Sequence, residues 1–204
     1  MDYALLTALA GFAFVSSITP GPNNLMLMAS GANFGLLRTL PHMLGVGIGF
    51  MVMVLLVGAG LVQLFDAYPL SHTVLKVVSV LYLTWLAWKI AMAAPKAPDA
   101  PETAGRPMTF LQAALFQWVN PKAWAMALTA ITNYAPDRSF WSVALVALVF
   151  GIINIPCVGS WTILGQEMRR FLTNPGRLRA FNWTMAVLLI ATLYPILFPS
   201  GLAI

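Results

Sequence analysis

The chain has 204 residues, 60% hydrophobic and only 8% charged, with mean hydropathy +0.82 and a formal net charge of +5. Soluble domains carry about 25% charged residues, so the composition excludes an ordinary soluble protein and describes a polytopic membrane protein embedded in a lipid bilayer. The basic residues lie mostly in short segments between apolar runs, where charge sets topology, so the positive balance does not describe a nucleic-acid surface.

In chain order, the first predicted span covers roughly residues 4–31, inside a run from 3 to 37 that contains no Asp, Glu, Lys or Arg. At a rise of about 1.5 Å per residue such a run would stretch roughly 50 Å, well beyond a hydrocarbon core of about 30 Å. It must bend or break, and Pro20-Gly21-Pro22-Asn23-Asn24 marks the place. No basic region precedes the run, so it is not read as a cleavable signal. Broken backbone is tolerated at membrane depth only where protein or a water-filled cavity satisfies the freed groups. Pro22 suits a first helical turn, and the helix behind it is expected to present free N–H groups of Asn23, Asn24 and Leu25 to an anion. The carbonyls before Pro20 and Pro22 lose their donors and can accept from an ammonium. One break thus offers both halves of what a zwitterion needs. The alternative is a structural kink whose asparagines bond to neighbouring helices.

The second span, roughly 41–64, is rich in glycine, with Gly45 and Gly49 forming a GxxxG pair. Its use is close helix approach, read as packing within this chain ahead of dimerisation, although a homo-oligomer is compatible with it. His42 opens this span and is the one candidate for proton coupling, against the alternative of a merely packed histidine. The third span, roughly 70–93, carries Lys76 and Lys89 near its ends, and His72 falls in the loop before it. Residues 95–108 form a Pro-rich hydrophilic linker. It divides the chain into two three-span halves, 1–94 and 109–204.

The fourth span, roughly 109–133, contains Gln117-Trp118-Val119-Asn120-Pro121-Lys122. Asn120 is a good N-cap and Pro121 a good first helical residue. Lys122 would lie near mid-depth, where a charge is a functional hypothesis by default; it could pair with a substrate carboxylate, or snorkel, or bond a backbone carbonyl. Gln117 could line the same cavity or simply pack. The fifth span, roughly 140–165, holds Asn154 beside Pro156, facing a cavity or bonding across helices, and the lone Cys157, which excludes an intramolecular disulfide or a redox pair. The sixth span is roughly 181–200. With six spans, Arg38, Lys89, Lys96, Arg106, Arg169, Arg170, Arg177 and Arg179 share one side, and only Lys76 and Arg138 the other. The positive-inside rule then makes the first side cytoplasmic, including 95–108 and 166–180, with both termini external.

No acidic residue lies deep in a span. A metal-cation or lysine site would normally include a carboxylate, so no metal is expected and the substrate carries no net positive charge. A membrane enzyme is disfavoured too: Ser16, Ser17 and Ser30 with His42 lack the setting of a nucleophile and its base. Three spans per half is odd, so homologous halves would form an inverted repeat, and interrupted segments at matching places are the pointer to a transporter's central site. The breaks at Pro20-Gly21-Pro22-Asn23 and Asn120-Pro121-Lys122 lie about 100 residues apart at such places.

Thr19-Pro20-Gly21-Pro22-Asn23, followed by Gly31, Gly35, Arg38 and a glycine-rich second span, resembles the LysE/RhtB family of amino-acid exporters. Phe116-Gln117-Trp118-Val119-Asn120-Pro121-Lys122-Ala123 carries the same resemblance in the second half. The resemblance covers the whole chain. It implies export of amino acids or close derivatives across the bacterial inner membrane, driven by the proton gradient, with no cofactor and with the two proline motifs as the central site. The expectation is an all-α membrane protein of six helices in two inverted three-helix repeats, broken in helices 1 and 4, exporting neutral amino acids such as threonine, homoserine or leucine by alternating access. The substrate carboxylate would sit at the helix starts at Asn23-Asn24 and Asn120-Pro121 beside Lys122, and its ammonium at carbonyls near Thr19 and Pro20; Gly21, Gln117 and Asn154 complete the candidate site. The rival readings are a transporter of another small solute or cation, and a non-transporting membrane subunit packed through its glycine faces.

Overall fold

Asp2 starts the first helix: its carboxylate accepts the Leu5 N–H at 2.8 Å, a side-chain N-cap for α1, Tyr3–Ile18. The computed structural model describes residues 2–61, 63, 67–68, 70–93, 105–135 and 137–198. Most of the expected linker, 95–104 with Lys96, Asp99 and Glu102, lies outside the described residues, as does Asp66. Among the described residues all regular structure is helical.

The position of each helix end follows from local chemistry. Pro20 bars helical dihedrals at the residue before it, and Thr19 is accordingly extended, with φ −66° and ψ 145°. Pro22 then opens α2, Pro22–Phe34, and the axes of α1 and α2 differ by 53°. Gly35 ends α2 at φ +80°, a conformation that favours glycine. It leads into α3, Leu36–Leu56, which relaxes into a π turn over Val57–Leu61, where Gly60 reaches φ +104°. α4 is Leu70–Ala91.

Thr109 and Gln112 form a capping box at the start of α5, Phe110–Phe116. A single 3₁₀ turn, Gln117–Val119, follows, then the extended Asn120, then α6, Pro121–Tyr134. Ser139 caps α7, Phe140–Arg169, which runs through Pro156 without interruption. Asn174 caps α8, Pro175–Ala191, and a short α9, Tyr194–Leu197, ends the described chain.

α7 is the central post, packed against α1, α2, α3 and α6; α5 lies along α3, and α4 along α8. Backbone-to-backbone approach sets the α2–α7 crossing. A Cβ at Gly31 would collide with the Thr162 carbonyl, and one at Gly165 with the Met28 carbonyl. Gly45 and Gly49 are used in the same way inside the chain, against Phe110 and Ala114 of α5. Apolar side chains fill the spaces between: Leu9, Phe50 and Phe150 among α1, α3 and α7, and Leu83, Phe181 and Leu189 where α2, α4 and α8 meet. Large apolar residues also face outward in number, among them Leu37, Leu81, Trp88, Trp141, Ile152 and Val187. Water does not tolerate so continuous an apolar surface; lipid does.

Among the described residues, three helical stretches are long and apolar enough to cross a membrane: Leu36–Leu61, Leu70–Ala91 and Phe140–Arg169. The bent pair α1–α2 makes a fourth. Six full spans were expected; the difference lies in the second half. There the 3₁₀ turn and Asn120 divide the fourth apolar stretch into short helices. α8 begins at Pro175, earlier than the expected 181, so Arg177 and Arg179 are helical and the apolar part is shortened. Its 17 residues rise about 25 Å, less than a hydrocarbon core of about 30 Å.

Candidate functional site

The two breaks, about 100 residues apart in sequence, face one another. Lys122 reaches from the start of α6 across Gly21 to the end of α1. Its Nζ donates to the Thr19 carbonyl at 2.7 Å, the Thr19 Oγ1 at 3.0 Å and the Pro20 carbonyl at 3.3 Å. An ammonium has three protons to donate, so Lys122 is saturated here. The carbonyls expected to await a substrate ammonium are thus filled by the protein's own cation. One turn away, Asn23 and Gln117 exchange amide bonds: Asn23 Nδ2 donates to Gln117 Oε1 at 2.9 Å, and Gln117 Nε2 to Asn23 Oδ1 at 3.2 Å. Gln117 is fully buried and also donates to the Ala113 carbonyl.

The two helix starts differ from expectation in different ways. At α2, Leu25 is not free: its N–H bonds to the Gly21 carbonyl at 3.0 Å. The N–H groups of Asn23 and Asn24 have no acceptor among the described residues, and Gly21 supplies no side-chain cap. The α2 start therefore keeps unspent donors. At α6 the N-cap expected of Asn120 forms: its Oδ1 accepts from Lys122 N at 3.1 Å, and its carbonyl from Ala123 and Trp124 N at 3.0 and 3.2 Å. The donors expected to meet a carboxylate at Asn120-Pro121 are consumed by the cap itself.

Behind the breaks lies a cavity of about 20 Å³, bordered by Ser17, Asn24, Lys122, Asn154, Met126 and Val158. That volume holds about one water. Asn154, on α7, is 5% exposed; its Nδ2 donates to Ser17 Oγ at 3.0 Å, while its Oδ1 is buried with no partner among the described residues. Asn24 closes the end of α1 by donating to the Ser17 and Thr19 carbonyls, both at 2.8 Å. Trp161 Nε1 of α7 takes the Ile18 carbonyl at 3.0 Å. The carbonyls freed by the proline break are thus shared among Asn24, Trp161 and Lys122. No carboxylate borders the cavity.

Sequence reasoning brings Thr19, Pro20, Gly21, Pro22, Asn23, Asn24, Gln117, Asn120, Pro121, Lys122 and Asn154 to this one place. His42 is elsewhere: it is buried on α3, at a separate and larger pocket beside the C-terminal half of α2. Ser17 and Trp161 were missed as partners of the break. The signal available for Ser17 was its place two residues before Thr19 on the last turn of α1; for Trp161 no local signal exists, because its partner is 143 residues away. Among the described residues no group of His, Cys, Asp or Glu could hold a metal ion.

Residues 14–192 match the family described as LysE type translocator. The chain is 30% identical over 198 residues to a protein named cysteine/O-acetylserine efflux protein from Klebsiella pneumoniae, covering 93% of this chain and 95% of that one. It is 27% identical over 195 residues to the proteins of the same name from Escherichia coli K12 and Shigella sonnei, covering 93% of this chain and 96% of each. No solved structure matches it.

Proposed function

Because the chain belongs to the LysE type translocator family, we propose that it exports small neutral amino acids or close derivatives from the bacterial cytoplasm across the inner membrane. The names of the relatives support cysteine- and O-acetylserine-like molecules as the substrates, in place of the leucine considered from sequence. Residues 1–94 and 109–204 act as two inverted three-helix halves, completed to six spans by α5–α6 and α8–α9. Residues 95–108 and 166–180 face the cytoplasm, and the proton gradient drives export.

The observation that carries this reading is Lys122, held by three bonds across the two breaks, beside a cavity bordered by Asn154, whose buried Oδ1 has no hydrogen-bond partner among the described residues. The cavity is too small for an amino acid, so this is a closed state. Opening exchanges one set of partners for another. A substrate ammonium takes the Thr19 and Pro20 carbonyls and Asn154 Oδ1. The substrate carboxylate takes Lys122 and the unspent Asn23 and Asn24 N–H groups of α2. Charge-assisted bonds replace charge-assisted bonds, so the latch is released at little net cost only when a zwitterion is present. Without a carboxylate in the site, a cationic side chain on the substrate would be left unpaired, which disfavours lysine and arginine.

The test is efflux from cells expressing the protein and loaded with O-acetyl-L-serine, with L-cysteine, or with dipeptides of threonine, leucine and lysine. Efflux of the small neutral substrates that collapses with the proton gradient is expected. Efflux of lysine alone would overturn the substrate class, and no efflux from inserted protein would overturn the transport reading.

A further inference from the structure

A second pocket, about 220 Å³ in volume, lies between α2, the start of α3, the end of α4 and residues 105–108. Drug-sized ligands occupy about 300–1,000 Å³, so this space fits something smaller, and it is far roomier than the one-water cavity behind Lys122. His42 borders it, 2% exposed, with neither ring nitrogen hydrogen-bonded to any described residue. A neutral imidazole has one donor and one acceptor to satisfy, and a buried polar group without a partner calls for an explanation. Ser30 and Asn33 of α2 stand beside it, and Met26 and Ile90 supply apolar wall. Two exposed cations, Lys89 and Arg106, form the outer border, and among the described residues no acidic side chain lines the pocket. Lys89 is steadied over the Trp85 ring, its Nζ 4.6 Å from the centroid.

We infer that this pocket is a loading site, where the zwitterion of a small neutral amino acid binds before reaching the two breaks. The inference rests on the export reading above. His42 accepts the substrate ammonium, and Lys89 and Arg106 hold its carboxylate. The side chain lies against Met26 and Ile90. The route inward is short: from Ser30 to Asn23 along α2 is about 10 Å at 1.5 Å per residue. The pocket also lies on the basic side of the chain, the side from which an exporter must load.

Equilibrium binding of labelled O-acetyl-L-serine to purified protein tests this. Lys122→Ala disables the break site and is expected to retain binding. Adding His42→Leu to it is expected to weaken that binding at least tenfold, and Arg106→Glu, an exposed substitution outside the packed core, at least fivefold. In reconstituted vesicles His42→Leu raises the half-saturating concentration on the loading side by more than it lowers the maximal rate. A merely packed histidine predicts otherwise: removing two unpartnered nitrogens would leave affinity unchanged or steady the fold. Binding to the Lys122→Ala protein that neither His42→Leu nor Arg106→Glu alters would overturn the loading site and leave the export reading standing, as would loss of all binding with Lys122→Ala. A wild-type protein that neither binds nor exports the probe would overturn both.

Discussion

The break after α1 and the break before α6 look like two versions of one device, each with proline at a helix start and asparagine beside it, yet they carry opposite roles. At the first, two prolines and an extended Gly21 leave acceptors on the α1 side and unspent N–H donors on the α2 side. At the second, Asn120 caps its own helix with its side-chain oxygen and carbonyl, and the Lys122 ammonium reaches outward across the break. One break is a receptor and the other supplies the ion that fills it. The difference teaches that two similar proline-asparagine breaks need not produce two equal half-sites: a single side-chain cap decides which helix start stays open.

The largest expected effect breaks the comparison at its bridge. Lys122→Ala removes the cation proposed to take the substrate carboxylate, where a bond to a charged group is worth about 1.5–3 kcal/mol, and export is expected to fall by up to about 100-fold, since about 1.4 kcal/mol is tenfold, while membrane insertion stays normal. Full efflux by a well-expressed Lys122→Ala protein would show that the second break has no role in transport. Next, Pro20→Ala with Pro22→Ala should let α1 continue toward α2 and erase the acceptors of the first break. Efflux is expected to drop at least tenfold, and retained efflux would reduce that break to a kink.

Gly21→Ala is subtler. The new Cβ would stand 2.6 Å from Lys122 Cδ, so the lysine must shift off its three acceptors. Export is expected to fall severalfold, and a Lys122→Ala background should erase the effect, because the clash then has no target; additivity of the two would argue against a shared site. Smallest is Asn120→Ala. Loss of an N-cap costs about 1 kcal/mol, read as lower thermal stability of the purified protein, together with weaker discrimination between the two helix starts: α6 would now offer a free N–H to a carboxylate. Unchanged stability would mean that the cap does not hold α6.

Much of this was legible in residues. Charge-free runs and flanking arginines give the apolar helices. Pro20, Pro22 and Pro121 give the helix starts, because a ring without an N–H has few other places to go. Asn120 as N-cap and the internal use of Gly45 and Gly49 follow from the same local rules. The expected start of the last span at 181 followed the two arginines and overlooked that Asn174 and Pro175 carry the same cap-and-proline signal as Asn120 and Pro121, so α8 starts six residues earlier, with Arg177 and Arg179 inside the helix.

What the sequence by itself determined is therefore where the backbone breaks, which residue types gather at the breaks, and that no carboxylate accompanies them. Those outcomes depend on ring geometry, capping and the cost of charge in lipid, all of which act over a few residues. Only the tertiary structure decided who bonds to whom: Lys122 with Thr19, Gln117 with Asn23, Asn154 with Ser17, Trp161 with Ile18. It also separated His42 from the breaks and left it facing a pocket of its own. The reason is that freed carbonyls and buried amides do not carry a partner's address; the approach of α2 to α7 at Gly31 and Gly165, fixed by backbone contact, sets which of them come within reach.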